Sequence, residues 1–437
     1  TPIGTEPLFI YGKYTGQGLN KPRKGKAPEG TPSMHDLTNR GELLREEFDD
    51  VVILRDVHRI EKDGQGVDPV HDARYAHEAQ KFLDVMARLA DCTWTAEDYA
   101  WLRQRQRSTL SQSAAGQKEL EAFENAVLLM DTRRTSAKGD DGADRLNELQ
   151  LFQVAKQNGV PVLDSLAYHA IPEREKGSRP DQMDDDDFRG LASSLKLCEG
   201  ARVLLMQNLW VEAGLMNGAM GTVRGFVWPT GGGPNAHEKR LQAPVCVIVE
   251  FDDVDLGSEV VVDDKGVPKL DKGRTVYRPR CFFPELVESM GMNSAGKPRA
   301  TQLVPIFRSA VKAECTDAEV SRQQFPLILS WALTHWKAQG MTLRRVRLRI
   351  GARVASQPGI AFVAATRVKH PWHIVFDTDL PSYETFQEAQ WKKNFRARKR
   401  FEFRLEAKAS RTLRKYGFCE ADPWTPGDAA LAEALLE

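Results

Sequence analysis

The stretch Phe325-Pro-Leu-Ile-Leu-Ser-Trp-Ala-Leu-Thr-His-Trp-Lys-Ala-Gln-Gly-Met-Thr-Leu343 places a cation (Lys337), an amide (Gln339) and a glycine (Gly340) directly after an apolar run. Read as a buried strand, Leu327–Leu333 delivers Thr334 and His335 to the carboxyl edge of a sheet, where open α/β folds bind ligands. Lys337 supplies charge there, Gln339 both donates and accepts, and Gly340 permits close backbone approach. That set suits a phosphate or a nucleic-acid backbone. A second stretch, Gly359-Ile-Ala-Phe-Val-Ala-Ala-Thr-Arg-Val-Lys369, has small residues at 361, 364 and 365 that let a short helix pack tightly and project Arg367 and Lys369 from its end. A planar guanidinium in a sheet crevice matches the charge that develops on a transferring γ-phosphoryl group. An isolated arginine is more often a surface ion pair; Arg367 gains weight from its spacing after the first stretch.

Other chemistries are poorly served. The six cysteines (Cys92, Cys198, Cys246, Cys281, Cys315 and Cys419) are scattered without a C-x-x-C pair, which argues for free thiols rather than a zinc site or a disulfide framework. Asp184 to Asp187 resembles a metal-binding run, but consecutive side chains point in different directions, and a solvated acidic loop is the expectation. Charges balance at 61 basic against 61 acidic residues, which excludes a histone-like or acidic-tail protein for the chain as a whole. No window approaches a transmembrane span.

The elements that must position these residues follow from pattern. At roughly 150 residues per domain, 437 residues predict two to four domains. Val51 to Leu54 reads as a short buried strand. Residues 75–130 read as helical, with Phe82, Val85, Met86 and Leu89 on one face and Leu128 to Met130 closing the block. Thr95 with Asp98 forms a capping box opening the second helix of that block. A further helix near 143–157 carries Leu146, Leu149 and Phe152. From 200 to 300 the texture turns to β, with Val203–Met206, Thr222–Val227 and Val245–Phe251 separated by Asn217-Gly218 and other turn signals, which suggests a small antiparallel barrel inserted into a larger α/β unit. Residues 303–378 then alternate strand (327–333), helix (336–340), strand (346–350), helix (359–367) and strand (372–376), the pattern of a parallel sheet with crossovers. Finally, Lys392 to Lys415 holds eleven Lys and Arg, with Phe401, Leu405, Ala409, Leu413 and Tyr416 forming one apolar stripe. It reads either as a phosphate-tracking surface or as a soluble helix packed by its stripe.

At these residues a resemblance becomes specific. Gln324-Phe-Pro-Leu, Ser330-Trp-Ala, Thr334, Lys337-Ala-Gln-Gly-Met-Thr-Leu and Phe362-Val-Ala-Ala-Thr-Arg-Val are similar to motifs V and VI of superfamily-one DNA helicases, in particular the PIF-one (petite integration frequency) family with its RecD-like relatives. Upstream, Leu197-Cys-Glu-Gly-Ala-Arg-Val-Leu-Leu-Met-Gln-Asn208 and Gly214-Leu-Met-Asn-Gly-Ala-Met-Gly-Thr-Val223 resemble family segments. Val52 to Arg59 resembles motif IV, and Pro2 to Phe9 the tail of motif III. The likeness runs from about residue 1 to 378.

The resemblance implies an α/β fold: a RecA-like parallel-sheet motor domain, the second of two, with an inserted small SH3-like β-barrel. Its divisions would be a connector at 1–45, the RecA-like domain at 46–195 and 301–380, the insertion at 196–300, and a basic helix and tail at 381–437. Arg367 would be the arginine finger and Arg59 a second γ-phosphate contact. Gln339 and Gly340 would couple the nucleotide site to the DNA track, and Thr334, His335, Trp336, Lys337 and Lys369 would touch DNA. The family reads Ile-His-Lys where this chain has His335-Trp336-Lys337, so the histidine falls one place early; Trp336 could stack on a base instead.

No G-x-x-x-x-G-K-[ST] loop occurs, and residue 1 already falls at the end of motif III, so ATP and Mg2+ are expected to be held mostly by a preceding domain. What the family further implies is single-stranded and forked DNA as partners, no membrane, a monomer, and an intracellular site, nucleus or mitochondrion in a eukaryote. Travel would be 5′ to 3′, in repair, recombination and telomere maintenance. The helicase portion of a rolling-circle transposon protein, or a non-catalytic single-stranded-DNA-binding relic, fits the same residues.

Overall fold

The computed structural model describes residues 48, 50–53, 59–63, 69–134, 142–172, 180–181, 183–233, 243–262, 267–271, 274–293, 296–313, 320–357 and 359–418. The connector 1–45, the motif III tail, residues 54–58 of motif IV, Cys315 and Cys419 lie outside them. Two compact units divide the chain: residues 1–131 with 334–437, and residues 132–333.

The first unit is built on parallel strands. Val127–Met130 pairs with Val346–Leu348, which pairs with Ile374–Phe376, both in parallel register. All four residues of Val127–Met130 are buried. The expectation that this run closes a helical block is therefore corrected: a four-residue apolar run flanked by turns, buried on both faces, satisfies its backbone better in a central strand. The chain enters the sheet again through Ala332–Thr334, after which the His335 amide donates to the Met130 carbonyl at 3.0 Å.

Helix Pro69–Ala90 packs by the expected face, with Phe82, Val85, Met86 and Leu89 all buried. The next helix, Ala96–Arg103, opens on the expected capping box: the Thr95 hydroxyl accepts from the Asp98 amide and the Asp98 carboxylate accepts from the Thr95 amide. Residues 51–53, expected as a buried strand, form none, and Val52 is 72% exposed. The Val51 amide donates to the Thr412 hydroxyl of the C-terminal helix instead. That helix, Lys393–Lys415, is the longest described element of the unit.

The second unit carries a five-stranded sheet in the order Leu303–Phe307, Cys246–Phe251, Met220–Val227, Arg202–Leu205, Leu327–Leu329, antiparallel at every pairing. Val203, Val223, Val247, Val249, Ile306 and Phe325 form its core. The expected β texture is present, but Asn217-Gly218 is not a two-residue hairpin. It ends a longer connection from 206 to 219 that contains the 3-10 turn Val211–Ala213.

Two further expectations change here. Helix Ala143–Asn158 exists, but its inward face is Ala143, Asn147, Leu151 and Ala155, while Leu149 and Phe152 are exposed. The cause is Asn147, whose amide donates to the Ala332 carbonyl and accepts from the Ala332 amide, both at 2.8 Å. This side chain takes the place of a strand partner. It also explains why Leu327–Leu333 is not one strand but two, with a break at Ser330–Trp331.

Candidate functional site

Helix Ile360–Ala365 buries Ala361, Ala364 and Ala365 and ends at Thr366. Small side chains on that face let the helix sit close to its neighbours Pro69–Ala90 and Ala352–Ala355, so the residue just past its end is carried inward. That residue is Arg367, only 7% exposed. Its Nε donates to the Val363 carbonyl at 2.6 Å and its Nη2 to the Thr366 hydroxyl at 3.1 Å. Arg59, remote in sequence, reaches the same place. Its Nη1 donates to the Thr366 carbonyl at 3.1 Å and its Nε to the Thr342 hydroxyl at 3.2 Å. The Leu343 amide closes the cluster by donating to the Arg367 carbonyl at 2.7 Å.

Electrostatically this is an excess of positive charge. Burial, and then the charge of Arg59, push the Arg367 guanidinium down to about 10. Among the described residues neither arginine meets a carboxylate, and Arg367 Nη1 and Arg59 Nη2 make no hydrogen bond. A buried cation without a counter-charge is costly, and an anion between the pair offsets that cost. The donors left over suit the oxygens of a polyphosphate. No cluster of three or more His, Cys, Asp or Glu that could hold a metal occurs among the described residues.

The segment leading to the pair runs from Thr334 to Leu343. Residues 336–340 are not the expected crossover helix but consecutive turns, with the Ala338 amide on the Thr334 carbonyl and the Gln339 amide on the Trp336 carbonyl. Five residues are too few to nucleate a helix unaided, and Gly340, at φ +86° with open space around a would-be Cβ, ends the run. Gln339 and Gly340 are exposed; Thr334, Trp336 and Lys337 are half-buried, with the Thr334 hydroxyl accepting from the Lys337 amide.

His335 differs from its expected role. It is 1% exposed, and its Nε2 lies 3.2 Å from both the Asp131 carboxylate and the Arg349 carbonyl. Facing two acceptors, Nε2 carries the hydrogen. The imidazole presents nothing to a strand lying outside; it joins this turn to the carboxyl end of the Val127–Met130 strand. Lys369 is likewise engaged, its ammonium paired with Glu61 and its carbonyl accepting from the Glu61 amide at 3.0 Å. Thr342, Thr366 and Asp131, which organise these groups, carried no signal in sequence beyond their neighbours.

Two other segments with suggestive spelling are structural. Gly291 to Pro298 reads G-x-x-x-x-G-K-P, one residue short of a phosphate-binding loop, and sequence reasoning passed over it. Met292 bridges Pro298 in a hairpin, Lys297 pairs with Asp255, and proline stands where the hydroxyl would be. The acidic run Asp184–Asp187 forms a short 3-10 turn in which Asp185 pairs with the fully buried Arg322 and with Arg133, so its charge is already answered by arginine.

Asp131, His335 and Arg349 each directly follow a strand of the parallel-sheet unit, at the carboxyl edge where open α/β folds take ligands. Comparison narrows the class: residues 187–226 match the family model for the 2B domain of the DNA helicase Pif1. The ATP-dependent DNA helicase PIF1 of Emericella nidulans is 32% identical over 190 residues, covering 40% of this chain and 22% of that protein. Human PIF1 is 29% identical over 176 residues, 40% of this chain and 18% of that protein. Among solved structures, Pif1 helicase from Candida albicans aligns over 72% of this chain and 57% of its own, at 18% identity and a TM-score of 0.40. Bacteroides Pif1 in complex with ADP-AlF3 and single-stranded DNA covers 79% and 58%, at 16% identity and a TM-score of 0.38. Over part of its length the chain is similar to the Pif1 DNA helicases, and the matched region spans about a fifth of the length of these curated relatives.

Proposed function

We propose that this chain is the C-terminal part of an ATP-dependent DNA helicase and supplies the arginine-bearing side of its ATP site. The observation that carries the reading is the arginine pair: Arg59 and Arg367 meet on Thr366 with no carboxylate among the described residues to neutralise them. In this reading ATP and its magnesium sit mainly on a preceding domain with the P-loop. Arg367 and Arg59 bind and orient the γ-phosphate and stabilise the charge that spreads over it. The parallel sheet belongs to the second of two RecA-like domains, and residues 196–300, part of the unit that runs from 132 to 333, contribute its SH3-like insertion. The exposed turn at Gln339 and Gly340 lies between the pair and the half-buried Thr334, Trp336 and Lys337, so strand contact and phosphate contact share one short segment. Single-stranded and forked DNA are the proposed partners, with 5′-to-3′ travel, repair, recombination and telomere maintenance as the setting, a monomer as the working form, and nucleus or mitochondrion as the site in a eukaryote.

The test is phosphate release stimulated by single-stranded DNA, measured on the longest product of the gene. Arg367→Ala is expected to lower kcat by about a thousandfold or more, the scale of a lost arginine finger, while DNA affinity stays within a few fold. Turnover that survives the substitution rejects the assignment and favours the non-catalytic DNA-binding reading.

A further inference from the structure

The C-terminal helix Lys393–Lys415 uses its cations in two different ways. Three of its lysines are spent on the protein. Lys399 pairs with Asp91 and Glu402, Lys408 donates to the Phe48 carbonyl, and Lys415 pairs with Asp50. Arg398 joins them, donating to Glu402, Asp91 and the Ala90 carbonyl. The second set is arginine. Arg396, Arg404, Arg411 and Arg414 are all exposed. At roughly 100° per residue they fall within a sector about 80° wide, in which no Asp or Glu occurs. Neither Arg396 nor Arg404 meets another side chain among the described residues, and Arg411 touches only the Ala407 carbonyl of its own helix.

The inward side is already covered. Ala409, Ser410 and Thr412 are buried, Phe395 packs with Cys92 and Ala389, and the Thr412 hydroxyl receives the Val51 amide. An amphipathic helix that lies in a lipid surface must offer its apolar face to the acyl boundary; here Ala409 of the apolar stripe is buried against the protein, and Leu413 and Tyr416, at its end, are exposed. What remains outward is a rigid row of guanidinium groups along about 27 Å of helix axis. Guanidinium forks match phosphate oxygens two at a time, which an ammonium does not.

We propose that this arginine row binds a nucleic-acid backbone through its phosphates. The proposal is independent of the ATP-site reading, because it uses none of the residues around Arg367. Binding of the whole 437-residue chain to a fluorescein-labelled single strand and to the same sequence as a duplex, followed by anisotropy over a salt series, tests it. Each phosphate contact contributes about 0.7 to the log–log salt slope on single strands and about 0.9 on duplex. The triple variant R396Q/R404Q/R411Q is therefore expected to flatten the slope by roughly two to three units on the strand it prefers, with an unchanged thermal midpoint. The triple Arg→Lys variant is expected to keep the slope with weaker affinity. Three results overturn the proposal: no nucleic-acid binding by the wild-type chain, an unchanged slope in the glutamine variant on both strands, or arginine-dependent binding to phosphatidylserine vesicles that exceeds binding to either nucleic acid.

Discussion

Arg59 and Arg367 hold the same residue: Arg59 donates to the Thr366 carbonyl and Arg367 to the Thr366 hydroxyl, each at 3.1 Å. Two like charges are thus kept together by neutral oxygens. The protein carries this arrangement at a cost in stability, since burial and the neighbouring charge both disfavour the Arg367 cation. Arg367→Met is expected to raise the thermal midpoint by a few degrees, equivalent to about 1 kcal/mol. Inorganic tripolyphosphate at millimolar concentration is expected to raise the wild-type midpoint and leave the variant unmoved. Equal shifts in both proteins would remove the anion site.

The capping box at Thr95 and Asp98 yields an acid-side prediction. Asp98 is 4% exposed and takes a bidentate pair of 2.7 Å bonds from Arg88, which hold its carboxyl below the usual aspartate value of 3.8. A depressed carboxyl stabilises the fold above its unfolded value and loses that contribution as pH falls through the folded one. Wild-type stability should drop below about pH 4, and Asp98→Asn should be less stable at neutral pH with a flatter acid limb. Thr95→Ala should cost about 1 kcal/mol at any pH. Urea melts between pH 2.5 and 7 decide both, within that pH range.

His370 acts in the same direction in a higher pH window. It is fully buried and stacked on Tyr75 with ring centroids 3.6 Å apart; its Nδ1 accepts from the Trp372 amide and its Nε2 donates to the Tyr75 carbonyl. Burial pushes it down to about 4. The unfolded chain then binds more protons than the folded one between 6.5 and about 4, so stability falls as pH drops through that window. The loss is on the order of 3 kcal/mol. A His370→Gln protein whose stability declines over the same window as steeply as wild type would show that another group is responsible.

Arg322 anchors the second unit. With no exposed surface, it donates to Asp185, to the carbonyls of Leu191 and Pro180, and to His169, and it lies 4.1 Å from the centre of the Phe188 ring. Arg322→Ala leaves these acceptors unanswered and should cost about 3–5 kcal/mol. Arg322→Lys should recover little of it, because one ammonium does not span the fork. Chemical denaturation of the two variants measures the difference.

Much of the site could be read from residues alone where local rules decide. The short helix with Arg367 just past its end, the capping box and the C-terminal helix all follow from short-range pattern. What could not be read depended on partners far away in sequence. Asn147 reaches Ala332 and thereby splits an apolar run that looks like one strand and turns the inward face of its own helix. Asp131 turns His335 inward, although its neighbours Thr334 and Lys337 stay nearer the surface. Periodicity reports which faces are apolar; it is silent on which polar side chain substitutes for a strand edge.

The His335 amide on the Met130 carbonyl has a consequence for how such a chain is assembled. The points at which the polypeptide leaves the parallel-sheet unit and returns to it are stapled side by side, on neighbouring strand ends. Residues 132–333 are thus spliced in at a single seam, as domain insertions tend to be. A few glycines bridging Asp131 to Thr334 would close that seam, and the remaining sheet would keep the backbone bond that now marks it.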